Sequence, residues 1–496
     1  MHPDPATCYR ALRTRDRRFD GRFFVGVRTT GVYCRPICPA RTPYRANIDF
    51  YACAAAAEEA GFRPCKRCRP ETSPGTPAWL GSSAVVSRAL RLIRDGALDG
   101  GGVDALAARL GVGDRQLRRL FDQHLGASPA AVARAQRLQA ARALIDQTDL
   151  PMLEISAAAG FQSLRQFNHA VRQTFGAPPR ELRRTSPARD AAQRAREGVA
   201  LRVPYRPPLD WPGLLAFLAV RATPGVEAVQ GNAYRRAVRI GDTVGWIEVT
   251  AAPDAAALLV RLRPCDGAAL LPVVERVRRV FDLGADPLQI AAHLRGDARL
   301  RPLVTARPGL RVPGAWDPFE VAVRGIVGQQ ISVAGATTLM GRLVARCGAR
   351  VDLAESVTHL FPTPAALAEA DLAGIGMPGA RIAALQGLAR AVADGAEPLD
   401  AARGLDDAVA RLRELPGVGE WTAQYIAMRG LGEPDAFPHG DLVLRQALGN
   451  GSGAVSAAAL AEAAEAWRPW RAYAAVHLWA GMTPRRDPKR TRRSTR

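Results

Sequence analysis

Four cysteines near the start of the chain, Cys34, Cys38, Cys65 and Cys68, form a C-x3-C…C-x2-C set. Two tight pairs at this spacing can surround one Zn²⁺ with a tetrahedron of sulfur. Two chemistries are open to such a set. A closed four-thiolate site can simply hold a small fold together. Here, however, basic residues flank both pairs: Arg28 and Arg35 around the first, Arg63, Lys66 and Arg67 around the second. A thiolate set among cations and a metal stays deprotonated at neutral pH and can act as a nucleophile.

A second constellation lies far downstream. Leu415-Pro416-Gly417-Val418-Gly419 has the composition of a very tight turn between two helices. Glycine there permits positive φ and close backbone approach. A helix starting at Glu420 would turn its free amides toward that turn, a site suited to a DNA phosphate. This is the helix-hairpin-helix pattern. Asp441 follows, in Phe437-Pro-His-Gly-Asp-Leu-Val-Leu-Arg445. An Asp after Pro and Gly is often only a helix N-cap; behind such a hairpin it also fits a catalytic carboxylate. Trp421, Tyr425, Trp467, Trp470, Tyr473 and Trp479 cluster nearby in sequence. They suit either a core or the aromatic faces that an electron-poor flipped base requires.

The elements that must position these groups call for several domains, since 496 residues exceed one core. Residues 1–75 carry the cysteines on short turn-rich segments, with an Ala-rich helix near Cys53 to Ala60 and a linker from Glu71 to Pro77. Residues 80–185 show apolar spacing of three and four. Inside them, Asp104–Gly111 turning into Asp114–Phe121, and Glu154–Phe161 turning into Leu164–Arg172, each read as helix, Gly turn, then an Arg- and Gln-rich helix. That is a tandem helix-turn-helix, with Arg115, Gln116, Arg118, Arg165 and Gln166 placed to meet DNA. Ser128-Pro129 opens the connecting helix as cap and first residue. Residues 186–199 read as a flexible linker. Residues 200–305 alternate as strands in Ala237–Ile240 and Gly245–Thr250, with helices at Trp211–Arg221 and Ala268–Phe281, an α+β domain. Residues 306–483 read as all-α, and 484–496 as a basic disordered tail. The whole is a multidomain, mainly α chain with α+β parts.

Formal net charge is +21, which favours a polyanionic partner such as nucleic acid. All but Lys66 and Lys489 of the 68 basic residues are arginine, a coding bias that inflates the figure. No apolar run suits a bilayer and no signal peptide is evident, so a cytoplasmic monomer without a membrane partner is expected. Cys8, Cys53, Cys265 and Cys347 are scattered and suggest no disulfide framework, in keeping with a reducing compartment.

The first 185 residues resemble the N-terminal half of the Ada adaptive-response regulators through Arg28–Cys38 and Gly61–Cys68, followed by an AraC-type helix-turn-helix pair. Residues from about 199 to 482 resemble the AlkA-type 3-methyladenine DNA glycosylases II of the helix-hairpin-helix superfamily. That resemblance rests on Pro207–Trp211, Arg307–Gly314, Gly328–Val333, Leu415–Gly430 and Trp467–Trp479.

The resemblance implies a zinc-bound methyl acceptor at Cys34, with Cys38, Cys65 and Cys68 as fellow ligands and a methyl phosphotriester as substrate. It implies that methylation turns the protein into a transcription regulator, with promoter DNA and RNA polymerase as partners. In the second half it implies Asp441 as the carboxylate for excising alkylated bases of the 3-methyladenine and 7-methylguanine type. Trp421, Tyr425 and Trp479 would line the base pocket, Gly417 and Gly419 would meet the DNA backbone, and Gln330 or Ile331 would stand at the wedge. Family wedges are typically apolar, so Gln330 departs from the pattern. Trp421 stands where strand-cutting relatives carry Lys, which implies a monofunctional glycosylase. No cysteine follows Cys347, so no iron–sulfur loop is expected, and without a Pro-Cys-His-Arg motif neither is an O6-methylguanine transferase. A regulator whose glycosylase-like half only binds DNA is the competing reading.

Overall fold

A computed structural model describes residues 4–74, 84–183, 198–263, 267–354, 356–396, 398–449 and 453–482. The expected basic tail, almost all of the linker at 186–199, residues 75–77 of the first linker, and Cys265 lie outside the described residues.

The cysteine domain opens with the helix Pro5–Thr14, whose first amides bond to the Asp4 carboxylate, an N-cap. Its sheet has four strands in the order Ile48–Tyr51, Phe24–Val27, Val32–Cys34, Arg63–Pro64. The central hairpin pairs Val25 with Cys34, and Gly31 at its turn takes φ +64°. The last pair is parallel, Val32 with Arg63 and Tyr33 with Pro64. Parallel pairing sends both strands toward the same end, so Cys34 and Cys65 emerge side by side. The Ala-rich helix spans Ala54–Glu59.

The helical region contains two helix-turn-helix units, Val103–Arg109 with Asp114–Leu125 and Met152–Ala158 with Leu164–Phe175. Gly111 and Gly160, at φ +71° and +78°, make the two tight turns. The Pro129–Gln147 helix joins them, its Ser128 Oγ accepting from the Ala131 amide at 3.2 Å. The two units do not share one core. Leu117, Phe121 and Leu125 pack with Cys53, Ala55 and Ala56 of the cysteine domain. Phe167 and Val171 instead belong to a cluster with Val199, Ile247, Leu258 and Val273 of the β domain.

That β domain is an antiparallel five-stranded sheet in the order Val199–Pro204, Ala257–Arg263, Thr243–Ala251, Ala233–Ile240, Glu227–Gln230. The helices Trp211–Ala219 and Gly267–Val280 cover one face. The remainder is a helical domain around a large core built from Ile326, Leu385, Leu412, Ile426 and Leu444 among others. One departure from the all-α expectation is a two-stranded ribbon, Arg350–Ala354 with Val357–His359. Val357 and Leu360 pack on Ala237 of the large sheet, so the ribbon is stabilised from the neighbouring domain. Among the described residues, no helix is long and apolar enough to cross a membrane.

Candidate active sites and nucleic-acid interface

The sulfurs of Cys34, Cys38, Cys65 and Cys68 all lie within 4.8 Å of one another. Tetrahedral Zn–S bonds of about 2.3 Å place sulfurs roughly 3.8 Å apart, so the four fit one Zn²⁺. Cys34, Cys38 and Cys68 are buried and Cys65 is half-buried. Hydrogen bonds with Cys38 and Cys68 hold the Cys34 thiol far above its ordinary range, while the same contacts, Cys34 first, pull Cys38 well below its own. Crowded thiols cannot all ionise unaided, which is why the donor set calls for a cation.

The flanking arginines divide. The Arg35 backbone amide donates to Cys68 Sγ at 3.4 Å. Its guanidinium pairs with Asp20 and donates to Thr72 Oγ1 at 2.6 Å and to the Cys68 carbonyl at 3.3 Å. Arg35, expected to meet DNA, is therefore spent inside the protein, bracing the cysteine loop. Arg28 is exposed and pairs with Asp49 at 2.7 Å, and Arg67 is exposed beside Cys68. Behind the cluster, Arg69 pairs with Asp146 and Glu71 approaches Arg142 at 3.6 Å, both partners being on the Pro129–Gln147 helix. Arg115, Gln116, Arg118, Arg165 and Gln166 are all exposed on the second helices of their units; Arg118 pairs with Asp114 at 3.0 Å.

In the hairpin, the helices Leu405–Arg413 and Glu420–Arg429 flank the turn. Gly417 has φ +79°, and a Cβ there would fall 2.6 Å from that of Ala384, so both reasons for glycine hold. Gly419 needs neither: it is an extended N-cap with open space around it. No side chain caps this helix, which leaves its first amides available to an anion.

Asp441 stands at the centre of a three-donor cradle. Trp421 Nε1 donates to Oδ2 at 3.1 Å, and Trp479 Nε1 to Oδ1 at 3.1 Å. The Leu444 amide donates to Oδ1 at 3.0 Å, so the carboxylate is an N-cap, and Oδ2 is left with the indole alone. Trp421 and Tyr425, one helical turn apart, stack at 5.3 Å and 11°. Arg429 donates to the Tyr425 hydroxyl at 2.7 Å. Burial alone would raise that phenol, but Arg429, Arg221 and Arg324 outweigh it and hold it below its ordinary value. The aromatic cluster thus splits. Trp421, Tyr425 and Trp479 gather around Asp441, whereas Trp467, Trp470 and Tyr473 are core, with Trp467 Nε1 donating to Asp297 at 2.9 Å.

Gln330 and Ile331 sit between the helices Pro318–Val327 and Val333–Cys347. Both are exposed, and Gln330 takes a left-handed φ of +58°. Gln329, which sequence reasoning passed over, ties their loop to the hairpin: its Nε2 donates to the Gly417 carbonyl at 2.9 Å and to Thr422 Oγ1 at 3.0 Å. Its signal in the sequence was its place inside the Gly328–Val333 stretch that carries the resemblance.

The fold and the two sites define a class: a base excision repair domain carried behind a metal-binding cysteine module and a helix-turn-helix pair. Family models match in that order, the metal binding domain of Ada at 7–71, a helix-turn-helix domain at 106–185, the AlkA N-terminal domain at 200–317 and the HhH-GPD superfamily of base excision DNA repair proteins at 323–471. A probable bifunctional transcriptional activator/DNA repair enzyme AlkA of Mycobacterium tuberculosis is 47% identical over 481 residues, 97% of each chain. The chain belongs to that family of bifunctional transcriptional activator/DNA repair enzymes. DNA-3-methyladenine glycosylase 2 of Escherichia coli is 39% identical over 250 residues, 49% of this chain and 84% of its own. A 3-methyladenine DNA-glycosylase from Archaeoglobus fulgidus superposes on 56% of this chain and 97% of its own with a TM-score of 0.51 at 23% identity, a likeness of fold.

Proposed function

We propose that Cys34 takes the methyl group of a methyl phosphotriester and that Asp441 drives excision of alkylated bases, so that one chain both records and repairs alkylation. The family joins methyl phosphotriester repair to 3-methyladenine glycosylase activity, and DNA is the partner of its helix-turn-helix and hairpin domains. The observation that carries the reading is the Asp441 carboxylate, fixed by two indole N–H groups at the edge of an aromatic pair.

At the first site, bound Zn²⁺ would keep the four sulfurs as thiolates at neutral pH. Cys34 is 8% exposed, and a sulfur stripped of water is a stronger nucleophile. Its lone pair forms the S–C bond to the methyl carbon as the C–O bond breaks, and the phosphate recovers its negative charge. Four thiolates around a divalent cation carry −2, and a thioether removes one charge. Repulsion from the DNA backbone falls and affinity rises. Arg67 meets a phosphate beside the cluster and Arg28 another from the far end of the hairpin, and Arg115, Gln116, Arg118, Arg165 and Gln166 read promoter DNA. The methylated protein would then act on promoter DNA as a monomer, with RNA polymerase as its partner.

At the second site the hairpin amides from Gly417 to Gly419 hold a phosphate, Gln330 or Ile331 enters the gap in the duplex, and the flipped base stacks on Trp421, Tyr425 and Trp479. Asp441 stabilises the cationic sugar as the base departs. A base alkylated to a cation is already a good leaving group, so little acid catalysis is needed. Trp421 in place of Lys leaves no amine for strand cleavage.

The test is incubation of the full-length protein with methylated duplex DNA, with mass spectrometry of both products. One methyl on Cys34 and free 3-methyladenine in solution are expected. Label absent from Cys34 ends the sensor reading; no released base leaves the DNA-binding-only alternative for the second half.

A further inference from the structure

The Ala84–Arg94 helix opens the helix-turn-helix domain and buries Val86, Ala89, Leu90 and Ile93 in the core that this domain shares with the cysteine domain. Arg88 and Arg91, three residues apart and so on one shared face, point elsewhere. They reach across to the repair domain. Arg91 Nη2 pairs with Glu433 Oε1 at 2.6 Å, while its Nη1 donates to the carbonyls of Leu431 at 3.0 Å and Gly432 at 2.8 Å. Arg88 approaches the same carboxylate at 3.5 Å. Glu433 is 1% exposed, a charge buried at a domain boundary and held from the other side of it.

The acceptors occupy a particular stretch of chain. Residues 430–440 run from the end of the Glu420–Arg429 helix, which bears Trp421 and Tyr425, to Asp441. Two positive-φ glycines lie directly against the arginines. Gly432, at φ +66°, would put a Cβ 3.3 Å from Arg91, and Gly404, at φ +122°, one 3.2 Å from Arg88. Gly404 is the N-cap of Leu405–Arg413, the first helix of the hairpin. One helix of the regulatory half therefore touches the start of the first hairpin helix and the loop that leaves the second. Arg109 to Asp400, at 3.2 Å, reinforces the same junction from the next helix.

We propose that Arg91, with Arg88 beside it, is a positioning residue for base excision: Arg468, Arg471 and Gln424 hold the middle of the 430–440 loop from within the repair domain, and the regulatory half supplies in cis the brace that sets its start and hence Asp441. The inference rests on the glycosylase reading above. Three acceptors on one guanidinium fork define a fixed geometry, which a point charge cannot copy. The regulator thus contributes one side of the active-site loop's support, the side that its own domain leaves to Glu433 and the Leu431 and Gly432 carbonyls.

The decisive variant is Arg91→Lys in the full chain, which keeps the charge opposite Glu433 but cannot bridge all three acceptors. Single-turnover release of 3-methyladenine should slow by about ten- to a hundredfold. The DNA concentration for half-saturation, the melting temperature and methyl uptake by Cys34 should stay unchanged. The double variant Arg91→Ala with Glu433→Gln removes both charges together and should excise as slowly while melting near the wild type. Wild-type excision by either variant overturns the inference and leaves the glycosylase reading standing. A wild type that releases no base overturns both.

Discussion

Replacing Asp441 by Asn separates the helix cap that this side chain forms from the catalytic duty proposed for it. Asn caps helices about as well as Asp, so its Oδ1 can keep the bonds from the Leu444 amide and Trp479 Nε1. Its amide nitrogen then faces Trp421 Nε1, donor against donor, at the place where Oδ2 now accepts at 3.1 Å. The structural cost is about 1 kcal/mol, one lost hydrogen bond at a partly exposed position. The chemical cost is far larger. A full negative charge about 4 Å from a developing sugar cation contributes roughly 4 kcal/mol at an effective dielectric of about 20. That corresponds to about a thousandfold in rate. Single-turnover excision of 3-methyladenine from methylated DNA should therefore fall about a thousandfold in Asp441→Asn. DNA affinity and methyl transfer to Cys34 should be retained. A variant that keeps more than about a tenth of the wild-type rate would refute the electrostatic argument. A variant that loses methyl transfer as well would show that the substitution acts by unfolding instead.

Other outcomes follow from the same geometry. Cys34→Ser should abolish methyl uptake, because a hydroxyl does not ionise here as a thiol does, and should leave excision within about twofold of the wild type; label on another cysteine would misplace the acceptor. Gly417→Ala forces a Cβ to within 2.6 Å of Ala384 at φ +79°. It should cost on the order of 1–3 kcal/mol and weaken DNA binding, checked by urea unfolding and titration with duplex; unchanged affinity would remove the hairpin from the interface. His477 is buried, which pushes its imidazole from 6.5 down to about 4. The folded state keeps it neutral, whereas the unfolded chain binds a proton below pH 6.5. Stability is thus full above that pH and declines by about 3 kcal/mol as pH falls from 6.5 to 4. Urea unfolding across that range should show the slope, and His477→Leu should flatten it; an equal slope in the variant would assign the loss to other groups.

Local chemistry was legible in the sequence wherever spacing alone carried it. The C-x3-C and C-x2-C pairs name their four ligands at any orientation of the strands, because a metal fixes the geometry that loops must adopt. The L-P-G-V-G turn and the repeated helix–Gly–helix units are likewise short-range patterns, decided by φ and by helical period. Tertiary structure decided what depends on packing between distant segments. It placed Trp421, Tyr425 and Trp479 around Asp441 while sending Trp467, Trp470 and Tyr473 into the core, a division that six similar aromatics do not announce. It turned Arg35 inward against Asp20, because that carboxylate is supplied by another part of the cysteine domain. Burial likewise divided the helix-turn-helix pair between two cores, one shared with the cysteine domain and one with the sheet. The reach of Arg88 and Arg91 to Glu433, more than 340 residues away, is of the same kind. Residue type and spacing determine which atoms can do chemistry; only the folded chain, by burying some charges and pairing others, determines which of them are left to do it.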